Sequence, residues 1–79
     1  MIDDLKSFEY EMIEAMGYSI YEEIGRKQNG DNTWSKIVKE DDKFILTGTR
    51  YDKESFQKED FREVYNTIDD FKAGKVSRE

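Results

Sequence analysis

This chain contains neither cysteine nor histidine. It cannot staple itself with a disulfide or a Cys/His zinc site, so a hydrophobic core alone must hold its 79 residues. A chain of this length buries only roughly 60–65% of the surface that its unfolded form exposes, which leaves the core little margin. The material is adequate: five Phe, five Tyr and Trp34, with Ile, Leu, Val and Met spread along the chain. Charged residues make up 41% of the sequence, yet the apolar ones recur periodically, which favours a folded, well-solvated domain over disorder. The length predicts one domain over 1–79, with 75–79 as a frayed tail.

Periodicity divides the chain into elements. Ile2, Leu5, Phe8, Met12, Ile13 and Met16 fall on one stripe at helical spacing and predict a helix over 2–16, ended by Gly17. Residues 18–25 alternate and carry β-formers, which predicts a strand. Gly25 and the run Arg26-Lys27-Gln28-Asn29-Gly30-Asp31-Asn32 predict a loop, followed by a strand over 33–39, a tight polar connection at Glu40-Asp41-Asp42 and a strand over 43–51. The conformation of 52–58 is left open. From 58 to 73 the helical period returns with Phe61, Val64, Tyr65, Ile68 and Phe71, and Gly74 stands just past its end. The predicted fold is α+β, in the order α-β-β-β-α, with a three-stranded antiparallel meander and both helices on one face. Its core would be Leu5, Phe8, Met12, Met16, Ile20, Ile24, Trp34, Val38, Phe44, Leu46, Phe61, Val64, Ile68 and Phe71.

The charge is distributed unevenly. Residues 1–25 hold seven acids against Lys6, which accounts for the whole formal charge of −6, while the twelve acids and twelve bases that follow cancel. Such an acidic block biases which partners can approach. On the predicted helix Asp3, Asp4, Glu11 and Glu14 would lie opposite the apolar stripe, four charges along about 16 Å. That spacing coarsely resembles a nucleic-acid backbone and would suit a basic groove. Glu9 falls inside the apolar arc, so it must either reach water or pair with a base from the sheet.

Catalytic chemistry finds few carriers. The usual general base, His, does not occur, so nucleophilic triads lack their activator. The five glycines are scattered, with no phosphate-binding loop. Asn29-Gly30-Asp31-Asn32 lacks the spacing of a calcium loop. No enzyme, metal or cofactor is expected. The acidic opening Met1-Ile2-Asp3-Asp4 does not read as a leader, and no segment approaches the roughly 20 apolar residues that span a bilayer. These features predict a soluble cytoplasmic protein with no membrane partner.

In length, acidity, lack of Cys and His and helix-plus-sheet pattern, the chain resembles the small acidic proteins of bacteriophages and mobile elements. That group includes uracil-DNA glycosylase inhibitors and anti-CRISPR proteins. The resemblance rests on these gross properties and on no motif, and it implies an inhibitor that binds a protein, in some cases by imitating DNA. The leading expectation is a non-enzymatic module that engages a basic protein surface through Asp3, Asp4, Glu11 and Glu14, with Glu22 and Glu23 at the first strand. The alternative is a homodimer paired through an exposed sheet face at Tyr21, Ile37, Ile45 and Tyr51. A single-stranded nucleic-acid binder using Lys36, Lys39 and Arg50 ranks lower, because the net charge opposes a polyanion.

Overall fold

The computed structural model describes residues 2–30 and 32–78; Asp31 of the expected loop and Glu79 of the expected tail lie outside the described residues. The chain runs as α1 (Ser7–Ala15), β1 (Ser19–Tyr21), β2 (Ile24–Gln28), β3 (Trp34–Glu40), β4 (Lys43–Tyr51), β5 (Lys58–Tyr65) and α2 (Ile68–Ala73). The strands form one antiparallel sheet in the order β1-β2-β3-β4-β5. The expected three-stranded sheet is therefore wrong, and the expectation fails in three places.

The segment 18–25 holds two strands, and the second runs on through Gln28, where a loop is expected, because Arg26, Lys27 and Gln28 pair with β3. Glu22 and Glu23 take φ of 51° and 63°, a two-residue turn whose left-handed sense matches strand twist. It folds β1 onto β2 with Tyr21 opposite Ile24. The β3–β4 turn has the same form, with Asp41 and Asp42 at φ of 53° and 60°. The second failure is at Lys58–Tyr65, which is a strand and not the first half of a helix. Phe61 and Tyr65 satisfy either period, and the free edge of β4 decides between them. Strand β5 fills that edge from Tyr51↔Lys58 to Phe44↔Tyr65, satisfying backbone groups that a helix would have left open. Only α2 keeps the helical period, capped by the Thr67 hydroxyl, which accepts from the Asp70 N–H at 3.1 Å. Thirdly, α1 begins at Ser7. Residues 2–6 form neither helix nor strand, Lys6 is extended, and the Asp3 N–H donates to the Lys39 carbonyl at 2.9 Å. The Glu9 carboxylate reaches back to accept the Lys6 N–H at 2.8 Å, which closes the first turn.

Register fixes which side chains meet. On the inner face Ile20, Gly25, Ile37, Leu46 and Glu63 stand in one row across all five strands, with Lys39, Phe44 and Tyr65 in the next. Both helices cover this face. Ile13 of α1 and Ile68 and Phe71 of α2 join Tyr18, Ile37, Phe44 and Tyr65 in the core, with Leu5, Met12, Met16, Ile20 and Leu46 packed around it. Phe71 meets Tyr18 and Tyr65 edge to face, at centroid distances of 5.9 and 5.3 Å. Several expected core residues are displaced by one step of strand alternation. Ile24, Val38 and Val64 stand on the outer face and Trp34 is 53% exposed; Phe8, on α1, is 52% exposed because the helix starts later than expected. Ile37, expected outside, is 1% exposed.

Gly25 permits the close approach of α1. A Cβ built there would stand 2.6 Å from Ile37 Cγ2 and 3.2 Å from Ile13 Cγ2. The segment left open in sequence is an Asp52-centred loop. The Asp52 carboxylate accepts the Glu54 N–H at 3.0 Å and the Ser55 hydroxyl at 3.1 Å, and these bonds hold its pKa below the usual value. The expected frayed tail is anchored, since the Ser77 N–H donates to the Val64 carbonyl at 2.7 Å along the edge of β5.

Gly25→Ala should lower stability by about 2 kcal/mol through overpacking at Ile37 and Ile13, measurable by urea unfolding. Burial raises the pKa of Tyr18, and burial followed by the nearby Glu63 carboxylate raises that of Tyr65. A raised phenol favours the folded state while it is neutral. Stability should therefore hold up to the ordinary tyrosine pKa of about 10 and fall as pH rises further. Melting temperatures across alkaline pH, followed with phenolate absorbance, check this.

Candidate interaction surfaces

Three features are candidates: an acidic end, a buried ion pair and an uncovered sheet face. The acidic end follows from topology. In a meander alternate turns emerge on the same side, so Glu22-Glu23 and Asp41-Asp42 share one end of the sheet. The N-terminal segment is bonded to both turns. The Asp42 N–H donates to the Asp3 carboxylate at 3.1 Å, and the Leu5 N–H donates to the Glu23 carboxylate at 2.8 Å. Asp4, Glu22 and Asp41 are exposed beside them. Glu11 and Glu14 are exposed on α1. The expected four-charge helix face is thus divided, because Asp3 and Asp4 precede the helix. Two acids that sequence reasoning assigned to a plain connection, Asp41 and Asp42, take their place in the cluster.

Glu9 is paired with a sheet lysine, one of the two arrangements its position allowed. Lys39 Nζ lies 3.0 and 3.4 Å from its carboxylate oxygens, and both residues are 5% exposed. The Lys6 N–H supplies the carboxylate with a further donor. Lys39 also sits 5.8 Å from the centre of the Phe44 ring. A hollow of about 420 Å³ lies beside this pair, with Phe8, Asn66 and Asp69 on its walls. Among the described residues no group of three His, Cys, Asp or Glu side chains is placed to hold a metal ion.

Neither helix covers the outer face. Tyr21, Ile24, Val38, Ile45 and Val64 form an apolar row across all five strands. The adjacent row runs Ser19, Arg26, Lys36, Thr47 and Arg62. Beyond it, Trp34, Thr47, Thr49 and Asp60 line a concavity of about 650 Å³ whose floor includes Gly48. A Cβ at Gly48 would collide with the Trp34 carbonyl oxygen, so only glycine lets β3 and β4 approach this closely. Of the expected second interface, Tyr21 (72% exposed) and Ile45 lie in the apolar row, and Tyr51 sits at the far end of β4 beneath Lys58 Nζ, 5.6 Å from its ring centre. Ile37 is withdrawn into the core. Lys36 is on this face, but the expected Lys39 is buried, and Arg50 turns the other way to Glu59 and the Phe61 ring.

Sequence reasoning missed Trp34, Arg26 and Arg62 as one surface. The signal was available in principle: Trp34-x-Lys36-x-Val38 and Ile45-x-Thr47-x-Thr49 are coherent alternating sets. The adjacent pair Ile37-Val38 makes either parity of β3 look apolar, so the set could not be assigned to a face.

Comparison with family models, with curated proteins and with solved structures yields no match to this chain. Among the described residues no helix is long and apolar enough to cross a membrane.

Removing one partner of a buried ion pair leaves the other charge stranded, which costs about 3 kcal/mol. Lys39→Met should therefore destabilise the fold by about that amount. Adding Glu9→Gln should restore part of the loss, since no buried charge then lacks a counterion while the amide still accepts from Lys6. A double-mutant cycle in denaturant checks the pair.

Proposed function

We propose that the protein is a non-enzymatic binding module that docks on a basic protein surface through the acidic end of its sheet. The supporting observation is the convergence of the N-terminal segment with the two acidic turns, held by the Asp3–Asp42 and Leu5–Glu23 hydrogen bonds. These bonds present several carboxylates from a rigid frame, so little ordering entropy is lost when a partner binds. Opposite charge at such an end speeds and orients encounter. Glu9, the one buried acid among the described residues, is neutralised by Lys39 and plays no part in this surface. An inhibitor of the class that the sequence resembles would act by occupying the basic site it meets.

The test separates the end from the helix. Asp4→Asn, Glu22→Gln and Asp41→Asn together remove three exposed charges without touching the Asp3 and Glu23 bonds. Glu11→Gln with Glu14→Gln removes charge from α1 alone. A partner captured on the native protein should associate at least several-fold more slowly with the first variant, and nearly normally with the second. Its association rate should fall with ionic strength, as screening over about 8–10 Å requires. Equal rates for the native protein and the first variant would reject this end as the docking surface. If the captured partner is an enzyme, its activity should fall as the protein is added.

A further inference from the structure

The outer sheet face presents a surface of opposite character, and what it carries is unusual for a strand surface. Arg26 and Lys36 are register partners on neighbouring strands, so two cations stand directly opposite one another. Like charges in that position destabilise a sheet. Arg62 follows two strands further on, across Thr47, and no acid occupies this row. Among the described residues none of the three cations has an ion-pair partner. An anion lying along the row would relieve the repulsion, and among the described residues no acid lies in the row to do so.

The neighbouring row supplies a different kind of group. Trp34 is half exposed at the rim of the concavity, with the Thr47 and Thr49 side chains beside it. An exposed indole next to unpaired guanidinium and ammonium groups suits a ligand that alternates flat rings with negative charges. We infer that this face binds single-stranded nucleic acid, with a base stacked on Trp34 and phosphates on Arg26, Lys36 and Arg62. An acidic peptide would satisfy the cations but leave the indole and the threonine hydroxyls without specific partners. Asp60, the single acid among the described residues that line the concavity, accepts hydrogen bonds and favours a base edge that donates one.

The net charge of −6 does not decide against this. Lys36 is five residues along β3 and its turn from Asp41, and Arg26 is three residues along β2 from Glu23, about 17 and 10 Å at strand rise. Both exceed the Debye length of about 8 Å at physiological salt, so the acidic end is partly screened from the cationic row. Acids and bases that cancel in the sum are separated in space, and a strand crossing the outer face meets mainly the bases.

Trp34 is the only tryptophan, so its fluorescence reports the site directly. The probe is an oligothymidylate of about twelve nucleotides. Titration into the native protein at about 50 mM salt should quench the emission, and raising salt to about 200 mM should weaken binding roughly 20-fold for three phosphate contacts. Arg26→Gln with Lys36→Gln should reduce the salt slope to about a third of its native value. Both side chains are exposed and far-UV circular dichroism should be unchanged. Trp34→Ala, followed by anisotropy of a labelled oligonucleotide, should lose about tenfold in affinity. Four results would overturn the inference: no binding of any single strand at low salt, equal binding of duplex, equal binding of polyglutamate, or self-association in sedimentation that accounts for the Trp34 signal. The experiment needs no protein partner and leaves the acidic end intact, so it can fail independently of the docking reading.

Discussion

The Glu9–Lys39 ion pair fixes the arrangement on which both surfaces depend. A lysine next to the end of β3 would ordinarily face water. Here it points inward to meet a carboxylate on α1, and strand alternation then carries Ile37 and Ser35 inward as well. The same step sends Trp34, Lys36 and Val38 outward. The pair also locates α1 on the sheet, since Glu9 bonds both to Lys39 and to the start of its own helix. A buried pair of this kind contributes little net stability compared with apolar side chains of similar size. Its effect here is to choose between two parities that hydrophobicity leaves nearly equal.

That near-equality explains how much of the fold could be read from the residues. Strand 43–51 is legible because the β-formers Phe44, Ile45, Leu46, Thr47, Thr49 and Tyr51 follow a tight polar turn. The C-terminal helix is legible at its end, where Gly74 takes the left-handed conformation. Its beginning was misplaced because Phe61 and Tyr65, four residues apart, suit a helix as well as a strand. Only the empty edge of β4 resolves that, and an empty edge is a property of the assembled sheet. The Glu22-Glu23 turn was missed because the left-handed conformation is carried there without glycine or asparagine. Of the acids in the first 25 residues, Asp3, Asp4, Glu22 and Glu23 meet at one end of the sheet, Glu11 and Glu14 stand apart on α1, and Glu9 is buried. Asp41 and Asp42 join that end only through the meander, and the Arg26–Lys36–Arg62 row exists only across three strands.

The two surfaces have one structural origin. An antiparallel meander sends alternate turns to opposite ends, and in this chain the acids occupy the turns at one of those ends. Arg26, Lys36 and Arg62 lie along the strand interiors and face away from both helices. A sequence that sums to near neutrality after residue 25 therefore folds into a molecule with spatially separate fields. Each field can act on its own partner because the strands between them are longer than the screening distance.

The acidic turns also bear on how tightly the molecule is held together. Glu22, Glu23, Asp41 and Asp42 all adopt a backbone geometry that costs ordinary residues about 1 kcal/mol or more each relative to glycine. Asn-Gly at both hairpins would suit the same backbone with less strain. The fold thus tolerates strain at the corners where its negative charge is concentrated. Exchanging those corners for better turn formers would yield a sturdier protein that had lost much of the charge at that end.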